Sequence, residues 1–99
     1  MRPVLLAYER DQDLAAIETL LQSRGHRILK AHTGLEALEM ARQETPQAVV
    51  SDVLLPLLDG FSLCRRLKED PVLRHLPVFL LSFRIEGPKF EAYAAEVGA

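Results

Sequence analysis

The chain has 99 residues, 48% of them hydrophobic, and its 12 basic and 14 acidic side chains leave a net charge of −2. This length and composition predict one folded domain over residues 1–99 and exclude extensive disorder, and the near-neutral charge argues against nucleic acid or an anionic membrane as a direct partner. Because the chain has one cysteine and no apolar run long enough for a signal peptide or a membrane span, we expect a soluble, cytoplasmic domain without an internal disulfide.

Four short apolar runs predict β-strands. In chain order they are Val4–Ala7, Arg27–Ala31, Ala48–Val53 and Val78–Leu81. The third run is apolar on both faces of a strand, which predicts a position inside the sheet. It contains one acid, Asp52, between Val50 and Val53. The carboxylate of Asp52 is therefore predicted to lie where little water reaches it.

Apolar residues recur at helical spacing after every strand. The four stripes are Leu14, Ile17, Leu20 and Leu21; Leu35, Leu38 and Ala41; Phe61, Leu63, Cys64 and Leu67; and Phe90, Tyr93, Ala94 and Val97. Asp11 or Asp13 is a candidate cap for the first helix, and Gly25 is expected to end it. Thr33 followed by Glu36 is a capping-box pattern, which predicts the start of the second helix.

Alternation of strands and helices predicts an α/β domain with a doubly wound parallel sheet, because right-handed crossovers place helices on both faces of such a sheet. The reactive crevice of an open parallel sheet lies beyond the carboxyl ends of its strands. Glu9 follows the first strand, Asp52 ends the third and Ser82 follows the fourth. Two carboxylates and a hydroxyl meeting at one edge predict a small cation site with oxygen ligands beside a nucleophile.

Three segments bear a family resemblance that covers the whole chain. They are "SDVLLPLLDG", "AHTGLEAL" and "PVFLLSF", and their spacing from one another also matches. Together they resemble the CheY-like receiver domain of bacterial two-component response regulators. The resemblance implies a flavodoxin-like sheet with strand order 2-1-3-4, and it implies that the fifth strand and fifth helix of the family are truncated here.

The resemblance also implies roles for individual residues. Asp52 would accept a phosphoryl group from a histidine kinase or a phosphotransfer protein. Glu9, Asp52 and the backbone carbonyl of Leu54 would hold Mg²⁺, and Ser82 would donate a hydrogen bond to the phosphoryl group. That bond would switch contacts with a downstream protein partner. Such a domain is not an enzyme for an external substrate; at most it catalyses its own phosphotransfer and autodephosphorylation.

Departures from the family pattern leave a second hypothesis open. Tyr8 stands where the family has the first of two adjacent acids, and Glu9 is one methylene longer than aspartate. Both changes favour weaker magnesium binding, and the lysine expected on a fifth strand is absent. The alternative is therefore a degenerate receiver that acts as a phosphorylation-independent interaction module. Flavin binding or hydrolysis is disfavoured, since "YERDQD" is no phosphate-binding loop and no nucleophile elbow is present.

The strand Val78–Leu81 is predicted to lie at an edge of the sheet. Three outcomes remain open for it: a homodimer through this strand, marginal stability, or membership of a longer receiver. Tyr8 and Cys64 are interpreted as packing residues. The three histidines lack metal-ligand spacing and are interpreted as surface or loop residues; they are His26, His32 and His75.

Overall fold

The computed structural model describes residues 2–10 and 14–81. Strands and helices alternate through these residues, and each of the four predicted strands is confirmed to within one residue at either end. The elements are β1 (Val4–Ala7), α1 (Ala15–Ser23), β2 (Ile28–Ala31), α2 (Gly34–Glu44), β3 (Ala48–Asp52), α3 (Gly60–Glu69) and β4 (Val78–Leu81). The fourth helix predicted from Pro88 lies outside the described residues. None of the helices described is long and apolar enough to cross a membrane.

All four strands are parallel, and their order is β2-β1-β3-β4. This order confirms the predicted doubly wound sheet. It also confirms the interior position of β3, which pairs with β1 on one side and β4 on the other. The carboxyl ends of β1 and β3 are therefore neighbours, as the candidate site requires.

The sheet has two faces, because successive side chains of a strand point in opposite directions. The α2/α3 face packs under two helices, and its strand residues include Leu5, Ala7, Val49, Val78 and Leu80. On the other face, called the α1 face, α1 is the helix that the described part of the chain provides, and the strand residues there include Val4, Leu6, Tyr8, Val50 and Leu81. Of the core formed by residues 2–10 and 14–81, the α2/α3 face holds the larger part.

Side chains cap α2 and α3 at their first turns. The hydroxyl of Thr33 accepts a hydrogen bond from the backbone N–H of Glu36 at 3.0 Å. The Glu36 carboxylate in turn accepts one from the backbone N–H of His32 at 2.9 Å. The Asp59 carboxylate accepts one from the N–H of Ser62 at 2.8 Å. The start of α2 predicted from Thr33 and Glu36 is thus confirmed.

The predicted apolar stripes are wrong at two positions. Leu20 on α1 is 52% exposed and Leu35 on α2 is 50% exposed. Helix α2 instead buries Gly34, Ala37, Leu38 and Ala41. The Gly34 end of this arc lies against the backbone of Leu58 in the loop between β3 and α3, and Leu35 lies outside the arc.

Candidate functional site

Asp52 ends β3 and is fully buried. One carboxylate oxygen, Oδ1, accepts a hydrogen bond from the backbone N–H of Leu54 at 3.1 Å. The N–H of Val53, between them, donates to the carbonyl of Leu81 at 2.9 Å and continues the pairing of β3 with β4. The Asp52 carboxylate is thus held by the segment that immediately follows it.

The start of α3 lies against the backbone of Asp52. The N–H of Gly60 donates to the carbonyl of Val53 at 2.9 Å. A Cβ atom at position 60 would lie 2.5 Å from the Asp52 carbonyl oxygen and 2.9 Å from the Val53 Cα. Glycine is therefore required for this approach, which braces the residue that bears the carboxylate.

Glu9 lies at the carboxyl end of β1, beside an open depression of about 310 Å³. The depression is lined by Glu9, Leu54, Leu55, Pro56 and Asp59. The structure therefore brings the predicted residues Glu9 and Leu54 to one rim, and Leu54 links that rim to Asp52. Ser82 lies outside the described residues, so its predicted role stays a prediction.

Tyr8 is 1% exposed and belongs to the α1-face cluster with Leu14. Since Ala7 pairs with Ser51, Tyr8 and Asp52 follow as neighbours on adjacent strands and point to the same face. The ring of Tyr8 meets the ring of His32 edge to face, with 5.1 Å between their centroids. An aromatic side chain therefore fills the flank of Asp52 where a second carboxylate would stand in the family pattern.

The sequence model of the response regulator receiver domain family matches residues 4–99 of this chain. The chain belongs to this family. Receiver domains of this kind are signalling modules of two-component systems, which agrees with the resemblance found in the sequence. The doubly wound fold described above agrees with it as well.

Known receivers align with most of this receiver domain. It is 34% identical over 79 residues to the response regulator PleD of Caulobacter vibrioides, an alignment that covers 80% of the chain and 17% of PleD. It is 39% identical over 83 residues to the transcriptional regulatory protein AfsQ1 of Streptomyces coelicolor, covering 83% of the chain and 36% of AfsQ1. The chain therefore spans well under two thirds of these relatives.

A solved structure shows the same architecture. The signal receiver domain of a signal transduction histidine kinase from Syntrophus aciditrophicus superposes with a TM-score of 0.83 at 30% identity. The superposition covers 100% of this chain and 74% of that one. The strand order and the alternation of helices are therefore those of a receiver.

The oxygen donors of this receiver domain suit magnesium better than they suit a softer metal. Residues 2–10 and 14–81 contain no group of three or more His, Cys, Asp or Glu side chains arranged to hold a metal. The acids at the rim are Glu9 and Asp59, and the buried Asp52 carboxylate is joined to the rim by its hydrogen bond from Leu54. Magnesium is commonly bound through one or two carboxylates and completes its octahedron with water. The donor set therefore fits Mg²⁺, with fewer carboxylates than the family pattern supplies.

Two features of the site go beyond what the sequence predicts. His32 is exposed, as predicted, and its ring also contacts Tyr8. Its position directly after β2, the neighbour of β1, is a signal that could have shown this. The second feature is the backbone at Leu57, which has a φ of 69°. No residue type in "PLLDG" indicates a positive φ at that position.

Proposed function

We propose that Asp52 of this receiver domain accepts a phosphoryl group from the phosphohistidine of a kinase or phosphotransfer protein. One observation carries the proposal: the Asp52 carboxylate is fully buried at the end of an interior strand. Burying a carboxylate costs stability, whereas an apolar residue there would add to the core. A role in phosphoryl transfer explains why a carboxylate is present at this buried position.

The proposed step is a transfer between two nucleophiles. A carboxylate oxygen of Asp52 forms a bond to phosphorus while the bond from phosphorus to the donor imidazole nitrogen breaks, and the imidazole leaves with a proton from solvent. The product on Asp52 is an acyl phosphate. The N–H of Leu54, 3.1 Å from Oδ1, fixes the orientation of the carboxylate for this step. Magnesium, when bound by Glu9, Asp52 and the Leu54 carbonyl, offsets negative charge on the phosphoryl oxygens.

In this proposal Ser82 donates a hydrogen bond to the phosphoryl group, and the resulting movement changes contacts with a downstream protein partner. Residues 1–99 act as one receiver domain, and catalysis is limited to its own phosphotransfer and autodephosphorylation.

Pairing of β4 with a second copy is also proposed. It is supported by Phe79, which is 52% exposed on β4. Light scattering after size exclusion tests the pairing, and a monomer at all concentrations contradicts it.

The test of phosphoacceptance is intact mass after incubation with phosphoramidate and magnesium. We expect the mass of one phosphoryl group on the wild type and none on Asp52→Asn. Asp59→Asn is the matched control, because it also removes a carboxylate from the rim but keeps an oxygen that caps α3. Asp59→Asn should gain the group at Asp52. A folded wild-type protein that gains no mass at any magnesium concentration contradicts the proposal.

The second candidate is a receiver that binds partners without phosphorylation. The observation that favours it is Tyr8, whose buried ring occupies the flank of Asp52 in place of a carboxylate. The same mass measurement decides between the two functions. If the wild type stays unmodified while Tyr8→Asp gains a magnesium-dependent phosphoryl group, Tyr8 is what disables the site.

A further inference from the structure

Four side chains form a row across the sheet at the carboxyl ends of its strands. Asp52 pairs with Leu81 on β4, and Tyr8 and His32 directly follow the last paired residues of β1 and β2. The backbone N–H of Tyr8 donates to the carbonyl of Ala31 at 3.0 Å, so β1 and β2 stay together at this point. From β2 to β4 the row is therefore His32, Tyr8, Asp52 and Leu81.

The acceptor in this row is closed off from solvent. The Asp52 side chain is 0% exposed, whereas reacting atoms have to approach to about 3–3.5 Å before a bond forms between them. The backbone around Asp52 is held in place, because Gly60 packs against its carbonyl and the N–H of Val53 donates to the carbonyl of Leu81. A neighbouring side chain therefore has to move before the phosphoryl group can reach the carboxylate.

Tyr8 is the neighbour that lies on the side of the proposed cation. Glu9, the proposed metal ligand on β1, directly follows Tyr8 in the chain. A cation shared by Glu9 and Asp52 lies on the β1 side of Asp52, away from Leu81 on β4. The hydrogen bond from its backbone N–H fixes Tyr8 in the sheet, so the movement that opens this side is a rotation of the Tyr8 ring.

His32 contacts the Tyr8 ring and is itself anchored. The two ring centroids are 5.1 Å apart and the ring planes are inclined by 72°, an edge-to-face arrangement in which aromatic rings attract each other. The backbone N–H of His32 donates to the Glu36 carboxylate at 2.9 Å, and its Nδ1 lies 4.0 Å from the same oxygen. Glu36 belongs to the capping box of α2, so the start of a helix holds the residue that contacts Tyr8.

We propose that His32 is a positioning residue that holds the Tyr8 ring against Asp52, and that release of this ring opens the carboxylate to the phosphoryl group. The inference rests on the proposed function and adds a residue that controls access to the acceptor. The rate of modification then depends on the fraction of molecules in which the ring is released. Because the His32 side chain is 48% exposed, a change at the surface reaches the buried carboxylate through one intervening ring.

The experiment compares initial rates of modification by phosphoramidate and magnesium, followed by intact mass. His32→Ala removes the imidazole at an exposed position and keeps the backbone N–H, so the protein should fold. We expect His32→Ala to be modified about threefold to tenfold faster than the wild type, because the edge-to-face contact no longer favours the closed position of Tyr8. His32→Phe should stay within about twofold of the wild type, because it restores an aromatic contact.

The matched control is His75→Ala. His75 is an exposed histidine in the turn before β4, at the opposite edge of the sheet from Asp52. Its substitution also removes one imidazole from the surface, but it leaves the row unchanged. His75→Ala should therefore be modified at the wild-type rate.

A Tyr8→Leu background tests whether His32 acts through Tyr8. Leucine keeps an apolar side chain at the buried position but offers no ring for His32 to hold. In this background His32→Ala should change the rate by less than about twofold. The contact itself is observed without phosphodonor by ¹³C NMR of the two tyrosine rings, with the Tyr8 signal assigned through Tyr8→Phe. His32→Ala should shift this signal, and His75→Ala should not.

Each contrary result has a definite reading. A rate for His32→Ala that equals or falls below that of the wild type overturns the positioning role and leaves phosphoacceptance intact, and so do equal gains in His32→Ala and His75→Ala. A gain that persists in the Tyr8→Leu background, or a Tyr8 signal that His32→Ala does not shift, overturns Tyr8 as the intermediary. No modification of any of these proteins overturns the proposed function itself. An unmodified wild type beside a modified His32→Ala supports the positioning role.

Discussion

The two faces of the sheet are packed to very different extents. Within residues 2–10 and 14–81, the cluster on the α2/α3 face contains sixteen buried residues and the cluster on the α1 face contains four. Helices α2 and α3 each bury four residues and are capped by Thr33 and Asp59. Helix α1 buries none within its range, and no side-chain cap is described for it.

The difference in packing between the two faces also concerns the candidate site. The Asp52 side chain points to the α1 face, because Ser51 and Val53 on either side point to the other. Its neighbour Tyr8 belongs to the smaller cluster. Within residues 2–10 and 14–81, Asp52 therefore lies on the face of the sheet that has the smaller buried cluster.

The largest expected contrast is between two adjacent residues of β4. Leu80 is fully buried on the α2/α3 face, and Phe79 is 52% exposed on the other. Leu80→Ala should lower the free energy of unfolding by about 2–5 kcal/mol because it leaves a cavity. Phe79→Ala should lower it by at most about 1 kcal/mol. Urea denaturation measures both, and equal losses would show that the α1 face is as well packed as its opposite.

Two glycines give the next largest effect. Gly60→Ala should cost about 1–3 kcal/mol, because the new Cβ meets the Asp52 carbonyl and the backbone has to shift. Gly25 follows α1 with a φ of 87°, and a Cβ there has no atom within 4 Å. Gly25→Ala should therefore cost only the backbone strain, about 1–2 kcal/mol. In phosphotransfer assays Gly60→Ala should also slow modification of Asp52, whereas Gly25→Ala should not.

The helix caps should have a smaller effect. Thr33→Ala and Asp59→Ala each remove an oxygen that accepts a backbone N–H, so each should destabilise the protein by about 1 kcal/mol. Asp59→Asn keeps a capping oxygen and should lie close to the wild type. Chemical denaturation of the three variants tests this, and a full loss in Asp59→Asn would mean that the carboxylate charge matters more than the cap.

The smallest effect concerns pH and the thiol of Cys64. Cys64 is buried on the α2/α3 face, and burial raises its pKa while nearby Lys68 lowers it to a lesser degree. The folded thiol keeps its proton at a pH where the unfolded thiol loses it. The stabilising contribution is thus complete below the ordinary thiol pKa of 9.0 and declines as the pH rises towards the folded pKa.

Unfolding of the wild type and Cys64→Ala between about pH 8 and about pH 10 measures this slope. The free energy of unfolding should decline more steeply in the wild type at the alkaline end. Parallel curves for the two proteins would show that the thiol is as accessible to solvent as in the unfolded chain.

The strands were predictable because their signal is local. Val4–Ala7 and Val78–Leu81 are short apolar runs with polar or Pro boundaries, and the observed strands have the same bounds. The pattern at Thr33 and Glu36 is also local, and the predicted cap forms. The register of the buried helix faces was not predictable in this way. Leu35 has the right spacing but lies outside the buried arc of α2, which consists of Gly34, Ala37, Leu38 and Ala41.

The candidate site was predictable in position but not in detail. Asp52 and Glu9 follow from the rule that strand ends meet at one edge, and the structure places them at the ends of adjacent strands. The N–H of Leu58 donates to the carbonyl of Pro56 and closes a γ-turn centred on Leu57, and the same carbonyl also accepts the N–H of Gly34, more than twenty positions away in the chain. The bond from Gly34 joins two segments that are distant in the chain, so no local sequence pattern indicates it.

The link between α2 and the β3–α3 loop also affects how mutations at position 34 are read. A Cβ at Gly34 would overlap the carbonyl oxygen of Leu58, so every substitution there displaces the loop. In a saturation mutagenesis screen for signalling, position 34 should tolerate no other residue and would rank beside Asp52. Its intolerance would be steric, because glycine contributes no side chain to any reaction. Screening for abundance as well as signalling would separate the two positions: Asp52→Asn should accumulate normally, and variants of Gly34 should not.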